Sequence, residues 1–290
     1  MKQLIITLTI LCFSTIESWG QKNVWKQVDK ERRQEFADSK ELKKIQDLFS
    51  RESITLTEFE NEIGLKIKNR DSTYHDLPPK NERQDPSKWY FYYQVWRNLD
   101  FNVSQLVRGV ITTKFWFDFN LLVRNDTIIG VKVSEGGRDL YDHIFEKRFN
   151  SYVNEHETFY KTKIKDYKSK LGPFNFDNFG TYMGIHQSLL RSCREMIDAF
   201  ESEDRGLLNK WLKSMNPEKQ AYAVQGLYYL EKHKGQKPTM EEQRLIDHVK
   251  SLDREIHVNP MVETSELLNA DYFDKTYLDL KTRGYIKSGE

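Results

Sequence analysis

Residues 89–133 read WYFYYQVWRNLDFNVSQLVRGVITTKFWFDFNLLVRNDTIIGVKV, and most of the β-forming residues of the 290-residue chain are gathered there. Within this stretch, alternating apolar residues on both sides of Asn125 and Asp126 predict a hairpin from Lys114 to Val133. Those two residue types accept the positive φ angles that a tight two-residue turn demands. Phe115, Phe117, Phe119, Leu121 and Val123 would then share a face with Ile129, Val131 and Val133, while Trp116, Asp118, Asn120 and Lys132 point the other way. Trp89–Arg97 supplies a third strand. Simple alternation puts Trp89, Phe91, Tyr93 and Val95 on the core side, with Tyr90, Tyr92, Gln94 and Trp96 opposite. The expectation is a three-stranded antiparallel sheet with one apolar face and one mixed face, the latter carrying Tyr90, Tyr92, Trp96 and Trp116 as candidate protein-binding residues. The competing reading of those four rings is ordinary core, buried beneath C-terminal helices.

Upstream, Phe36, Leu42, Ile45, Leu48 and Phe49 recur at helical spacing in a highly charged segment, as an amphipathic helix requires. Thr57-x-x-Glu60 has the form of a capping box opening a short helix, with Phe59 and Ile63 as its apolar stripe and Gly64 as its stop. Residues 66–88, with Pro78, Pro79 and Pro86, read as a loop. Downstream of Gly136-Gly137 the period becomes helical. Leu140, Ile144, Phe145, Phe149, Tyr152 and later apolar residues predict a long helix interrupted at Gly172-Pro173, followed by a second over 181–200. A helical pair over 207–230 has Asn216-Pro217-Glu218 opening its second member. That pair resembles one unit of a HEAT-type repeat, but no period recurs around it, which favours a plain helical hairpin. Thr239 and Glu242 form another capping box. Residues 259–290 carry aromatic residues with little pattern and are expected to be irregular.

The order helix, loop, aromatic strand, long strand, turn and closing strand, carried by Thr57–Gly64, Trp89-Tyr90, Phe117–Leu121 and Ile128–Val133, resembles the small outer-membrane-assembly lipoproteins and the fold they share with the β-lactamase inhibitor protein. The resemblance spans about residues 50–134 and implies helices packed on a three-stranded sheet, with binding of other proteins as the activity. Three departures stand out. No Pro follows Gly64, the loop after it is longer, and no Cys is placed to carry a lipid anchor.

The resulting division is a signal peptide over 1–20, an α+β module over 21–135 with N-terminal helices and the three-stranded sheet, a helical region over 136–258 packing on it, and the tail. Lys2, the apolar run Leu4–Phe13 and the small residues Ser18 and Gly20 have the three-part pattern of an export signal, so a periplasmic or extracellular protein beginning at Gln21 is expected. No other segment has the apolar length to cross a bilayer. Forty-five Lys and Arg face 44 Asp and Glu; losing Lys2 and Glu17 with the signal leaves the balance unchanged. Such neutrality argues against nucleic acid as the main partner. Cys193 would remain as the sole cysteine, set among Leu189, Leu190 and Ile197 as a small buried hydrophobe.

No stretch carries a catalytic elbow, a phosphate loop or a cofactor motif, and none suggests a metal. His143, Glu146, His156 and Glu157 form the densest group of metal-capable residues, but on one helix His143 and His156 would lie more than three turns apart. His75-Asp76 has no identifiable nucleophile. The sequence therefore favours a non-enzymatic protein-binding or envelope-associated factor with an unknown protein partner. The alternative is a secreted hydrolase whose polar residues converge only in the fold, in a deep pocket lined by two or more of His75, His143, His156 and His186.

Overall fold

The computed structural model describes residues 30–31, 34–63, 73–74, 89–135, 138–169, 172–174, 179–183, 188–252, 255–256, 262–263 and 267–287. The proposed signal segment, Gly64, His75, His186 and most of the 66–88 loop lie outside them. The chain divides into two compact units, Met1–Glu52 and Ser53–Glu290. In the first, helix α1 (Lys40–Phe49) opens on Ser39, whose side chain accepts the Leu42 amide, and Leu42, Ile45, Leu48 and Phe49 form its buried stripe.

The second unit is built on an antiparallel sheet whose order follows the chain. Its long strands are β1 (Tyr90–Asn98), β2 (Val103–Ile111), β3 (Trp116–Arg124), β4 (Thr127–Glu135) and β5 (Arg138–Ile144), with the two-residue strand Thr73–Tyr74 added beside β1. The α+β class holds, but the three-stranded sheet does not: β2 and β5 make five long strands. Strand β2 lies between β1 and β3, where the sequence reading had only a connection. Its run VSQLVRGVI is broken by Gln105, Arg108 and Gly109, which read as loop residues until their buried partners are known. The turn into it takes Phe101 and Asn102 through φ angles of 56° and 58°. Strand β5 was read as the start of the long helix, because Leu140, Ile144 and Phe145 also fit a helical period.

The hairpin turn falls where expected, with Asn125 and Asp126 at φ 49° and 62° and Arg124 opposite Thr127. Two bulges then redistribute the side chains. The register shifts between Phe91 and Tyr93 in β1, and near Leu122 and Val123 along the β3–β4 pair. An extra residue inverts the facing of everything beyond it. Consequently Ile128 rather than Ile129 shares a face with Val131 and Val133, and Ile129 joins the opposite one.

Helix α2 (Leu56–Ile63) covers the first face. Phe59 packs edge-on against Phe119 at 5.2 Å, and Trp89 meets Phe117 at 5.3 Å and Phe119 at 6.0 Å. Each such ring removed from water contributes about 2–3 kcal/mol. The capping box of this helix is Thr55 with Glu58, two residues earlier than Thr57 with Glu60: Thr55 N donates to Glu58 at 2.7 Å and Glu58 N to Thr55 Oγ1 at 3.1 Å. Backbone bonds from Leu56 N to Asp126 O and from Ile128 N to Ile54 O tie the helix entrance to the hairpin.

On the second face, α3 (Glu146–Tyr160) places Phe149 and Tyr152 in a cluster with Leu99, Val103, Leu122, Ile129, Phe174 and Met215. Lys161, in the left-handed conformation at φ 48°, ends α3 well short of the expected break at Gly172-Pro173. The remaining chain forms α4 (Arg191–Glu201), α5 (Arg205–Leu212), α6 (Pro217–Lys234), α7 (Met240–Ser251) and α8 (Ala270–Thr282) around their own core of Met196, Phe200, Leu208, Tyr222, Leu227, Tyr229 and Leu245. Asn216 caps α6 with Pro217 at its first position, and Thr239 and Glu242 complete the capping box of α7. The final helix, capped by Asn269, replaces part of the expected irregular tail.

Candidate functional site

The bulge in β1 decides the candidate surface. Tyr90 and Tyr93 pair with Ile111 and Gly109, and therefore face the side that carries Trp116 and Asp118; Trp96 pairs with Leu106 and faces the other side. The structure brings Tyr90, Tyr92 and Trp116 together and separates Trp96 from them. Tyr93, assigned to the core face by alternation, joins the group instead.

At this end of the sheet the rings of Tyr92 and Tyr93 lie edge to face at 4.7 Å, and Tyr92 and Trp116 lie 5.7 Å apart, tilted by 43°. Tyr92 and Tyr93 rest over Gly109. A Cβ there would come within 2.2 Å of the Tyr93 ring and 2.4 Å of the Tyr92 ring, so the absence of a side chain is what lets the rings lie flat on the backbone. Tyr92 Oη donates to Asp118 Oδ1 at 3.2 Å, and Tyr93 also hydrogen-bonds this carboxylate. Partial burial raises the pKa of Asp118 although both tyrosines oppose that shift. Burial likewise raises that of Tyr92, reinforced by the Asp118 charge and by the hydrogen bond between them, so the phenol stays a donor. Trp116 is 51% exposed, while Tyr90, Tyr92 and Tyr93 are half-buried.

The other end of the same face is covered. Arg97 Nε donates to Gln105 Oε1 at 2.6 Å, Gln105 Nε2 to Asn120 Oδ1 at 2.9 Å, and Asn120 Nδ2 to the Phe174 carbonyl at 2.7 Å. Arg97 also meets Glu218 of α6, both side chains being fully buried. Among the described residues, the C-terminal helices therefore cover the half of the face that holds Arg97 and not the half that holds Trp116.

The described histidines do not share a pocket; His75 and His186 lie outside the described residues. His143 lies on β5 against Phe145 at 4.8 Å, and His156 is buried in α3, stacked on Tyr160 with Nε2 3.0 Å from the Lys213 carbonyl. A third histidine, His248 of α7, was given no role by the sequence reading. Its Nε2 stands 3.0 Å from Asp100 Oδ2, which also accepts from Tyr160 Oη at 2.6 Å, and Tyr160 Oη in turn accepts from Gln220. This cluster joins the β1–β2 turn to α3, α6 and α7, and among the described residues no hydroxyl or thiol nucleophile bonds the His248 ring. Cys193 is fully buried and its thiol is pushed up to about 12 by desolvation. Grooves of about 680 Å³ and 460 Å³ flank Phe101, the first lined by Lys147, Ser151, Asn154 and Phe159 of α3 and the second by the two hairpin turns; neither is lined by a histidine. Among the described residues no three His, Cys, Asp or Glu side chains converge as metal ligands would, and no helix is long and apolar enough to cross a membrane.

Sequence alone could have found this surface through one signal. Gly109 among buried β-residues marks a close approach of something to the backbone, which the two adjacent tyrosines supply. No protein-family model, curated protein or solved structure matches the chain.

Proposed function

We propose that this chain is an exported, non-catalytic protein-binding factor whose contact surface is the open end of the sheet: Trp116 and Tyr92 at its centre, Tyr90 and Tyr93 beside them, and Asp118 beneath. The observation that carries the reading is the half-exposed Trp116 held against Tyr92 on a sheet face whose Arg97 end is covered. Large aromatic rings fixed by packing offer contact area at little conformational cost, and such residues dominate binding energy at interfaces. The export signal read in residues 1–20 and the helix-before-sheet order shared with the protein-binding assembly lipoproteins point the same way.

A photo-crosslinking residue placed at position 116 of the full chain, in the cells that make it, tests the proposal. The expected result is a discrete covalent adduct with another protein at position 116 and none from the same residue at Leu278, which is also exposed. Equal labelling from both positions, or none from 116, would sink it.

A further inference from the structure

Asp118 is half-buried, yet its polar contacts are the hydroxyls of Tyr92 and Tyr93, and no ion pair reaches it among the described residues. Elsewhere in the fold comparable carboxylates are matched. Glu155 has Arg124, Glu242 has Arg205, and Lys132, on the same sheet face as Asp118, is paired with Asp139 at 2.9 Å. Two tyrosine donors polarise a carboxylate without neutralising it, so a negative charge is left at the foot of an aromatic wall. The rings add to that preference, because a π-face is itself attractive to a cation.

We infer that the open end of the sheet receives a cationic side chain, an arginine or lysine presented by the protein partner, which seats against Trp116 and Tyr92 and pairs with Asp118. The inference rests on the binding surface proposed above and assigns the chemistry of what docks there. A flat guanidinium suits both elements at once, stacking on a ring while its edge donates to the carboxylate.

The test uses the full mature chain with ¹⁵N-labelled tryptophan. The five Trp residues that follow residue 20 give few indole signals, and Trp116→Phe identifies the one of interest. The probe is a peptide of alternating arginine and glycine; its citrulline counterpart has nearly the same shape without the charge. At an ionic strength of about 0.15 M, the arginine peptide should shift the Trp116 indole saturably and the citrulline peptide should not. Asp118→Asn, which keeps the side-chain size and can still bond both tyrosine hydroxyls, accepting through Oδ1 and donating through Nδ2, should weaken the arginine response by at least about tenfold while the other indole signals stay in place. An equal response to citrulline, an unchanged response in the Asn variant, or no response would each overturn the inference. A sugar or an acidic peptide moving the same signal when the arginine peptide does not would also overturn it. A crosslinked adduct at position 116 without any arginine response would leave the binding surface standing and remove only its assignment to a cation; loss of both would remove both.

Discussion

At the scale of single residues, Asp118 separates function from stability. Its folded-state pKa is raised, so the folded chain favours the protonated form more than the unfolded chain does. The stabilisation this gives is full below the ordinary aspartate range near 4 and is lost as the pH rises through the folded value. The ionised carboxylate is thus a cost to folding at neutral pH. Asp118→Asn should therefore raise the melting temperature at pH 7, with the gain fading as the pH falls through the raised folded-state value and gone below about 4. A melting temperature lowered at pH 7, or a difference that does not change with pH, would contradict this. A residue that weakens the fold where it is ionised and borders an exposed tryptophan fits a binding role better than a structural one. Phe101 shows the opposite balance. Its left-handed backbone costs roughly 1 kcal/mol or more, and the ring offsets that by packing on Phe159 at 5.7 Å and His156 at 6.1 Å.

Among the elements, α7 shows how a helix start serves as a joint. Thr239 Oγ1 accepts the Glu242 amide at 3.2 Å and Glu242 Oε2 accepts the Thr239 amide at 2.7 Å. The same carboxylate takes a two-pronged contact from Arg205 of α5, at 2.8 and 2.6 Å, and a bond from Asn209. Burial alone would raise the Glu242 pKa, but Arg205, Thr239 and Asn209 together outweigh it and hold the group down at about 2. A depressed acid stabilises the fold above its unfolded value, and that contribution is lost as the pH falls through the folded one. Glu242→Gln should cost about 2 kcal/mol at pH 7, the scale of hydrogen bonds to a charged group. Denaturant titrations should show the deficit narrowing between pH 4.5 and about 2, the span between the ordinary and the folded-state values. A constant deficit across that span would mean that shape, not charge, holds α5 to α7. This capping box was legible because its bonds lie within four consecutive residues. The box of α2 was placed two residues late, because Thr55-x-x-Glu58 and Thr57-x-x-Glu60 are locally equivalent and only the attachment of Ile54 and Leu56 to the hairpin selects the first.

Across the Ser53–Glu290 unit, the sheet and the helical region are joined by the buried pair of Arg97 on β1 and Glu218 in the first turn of α6. Glu218 also lies where the positive end of the helix dipole favours an acid. Removing one partner strands the other charge away from water. Arg97→Met should destabilise the chain by about 3–5 kcal/mol, whereas adding Glu218→Leu should recover part of that loss, since an apolar pair carries no desolvation cost. Chemical denaturation of the two variants decides the point. A double variant no more stable than the single one would show that the pair supplies net stability rather than matching two buried charges.

What the sequence determined by itself was local: the hairpin turn at Asn125-Asp126, the capped starts of α6 and α7, the apolar stripes of α1 and α2, and the concentration of β-structure in residues 89–133. These depend on neighbours within a few positions, where side-chain chemistry and backbone geometry are directly coupled. The tertiary structure decided which residues face one another. Strand β2 was hidden because Gln105 and Arg108 look like surface residues until Arg97, Asn120 and Gln94 satisfy them in the interior. The helical period through Leu140 and Ile144 could not reveal that strand pairing with β4 would claim them. The bulge beside Tyr92 leaves no mark on an alternating pattern, yet it sends Trp96 to one face and gathers Tyr92 and Tyr93 over Gly109, beside Trp116, on the other.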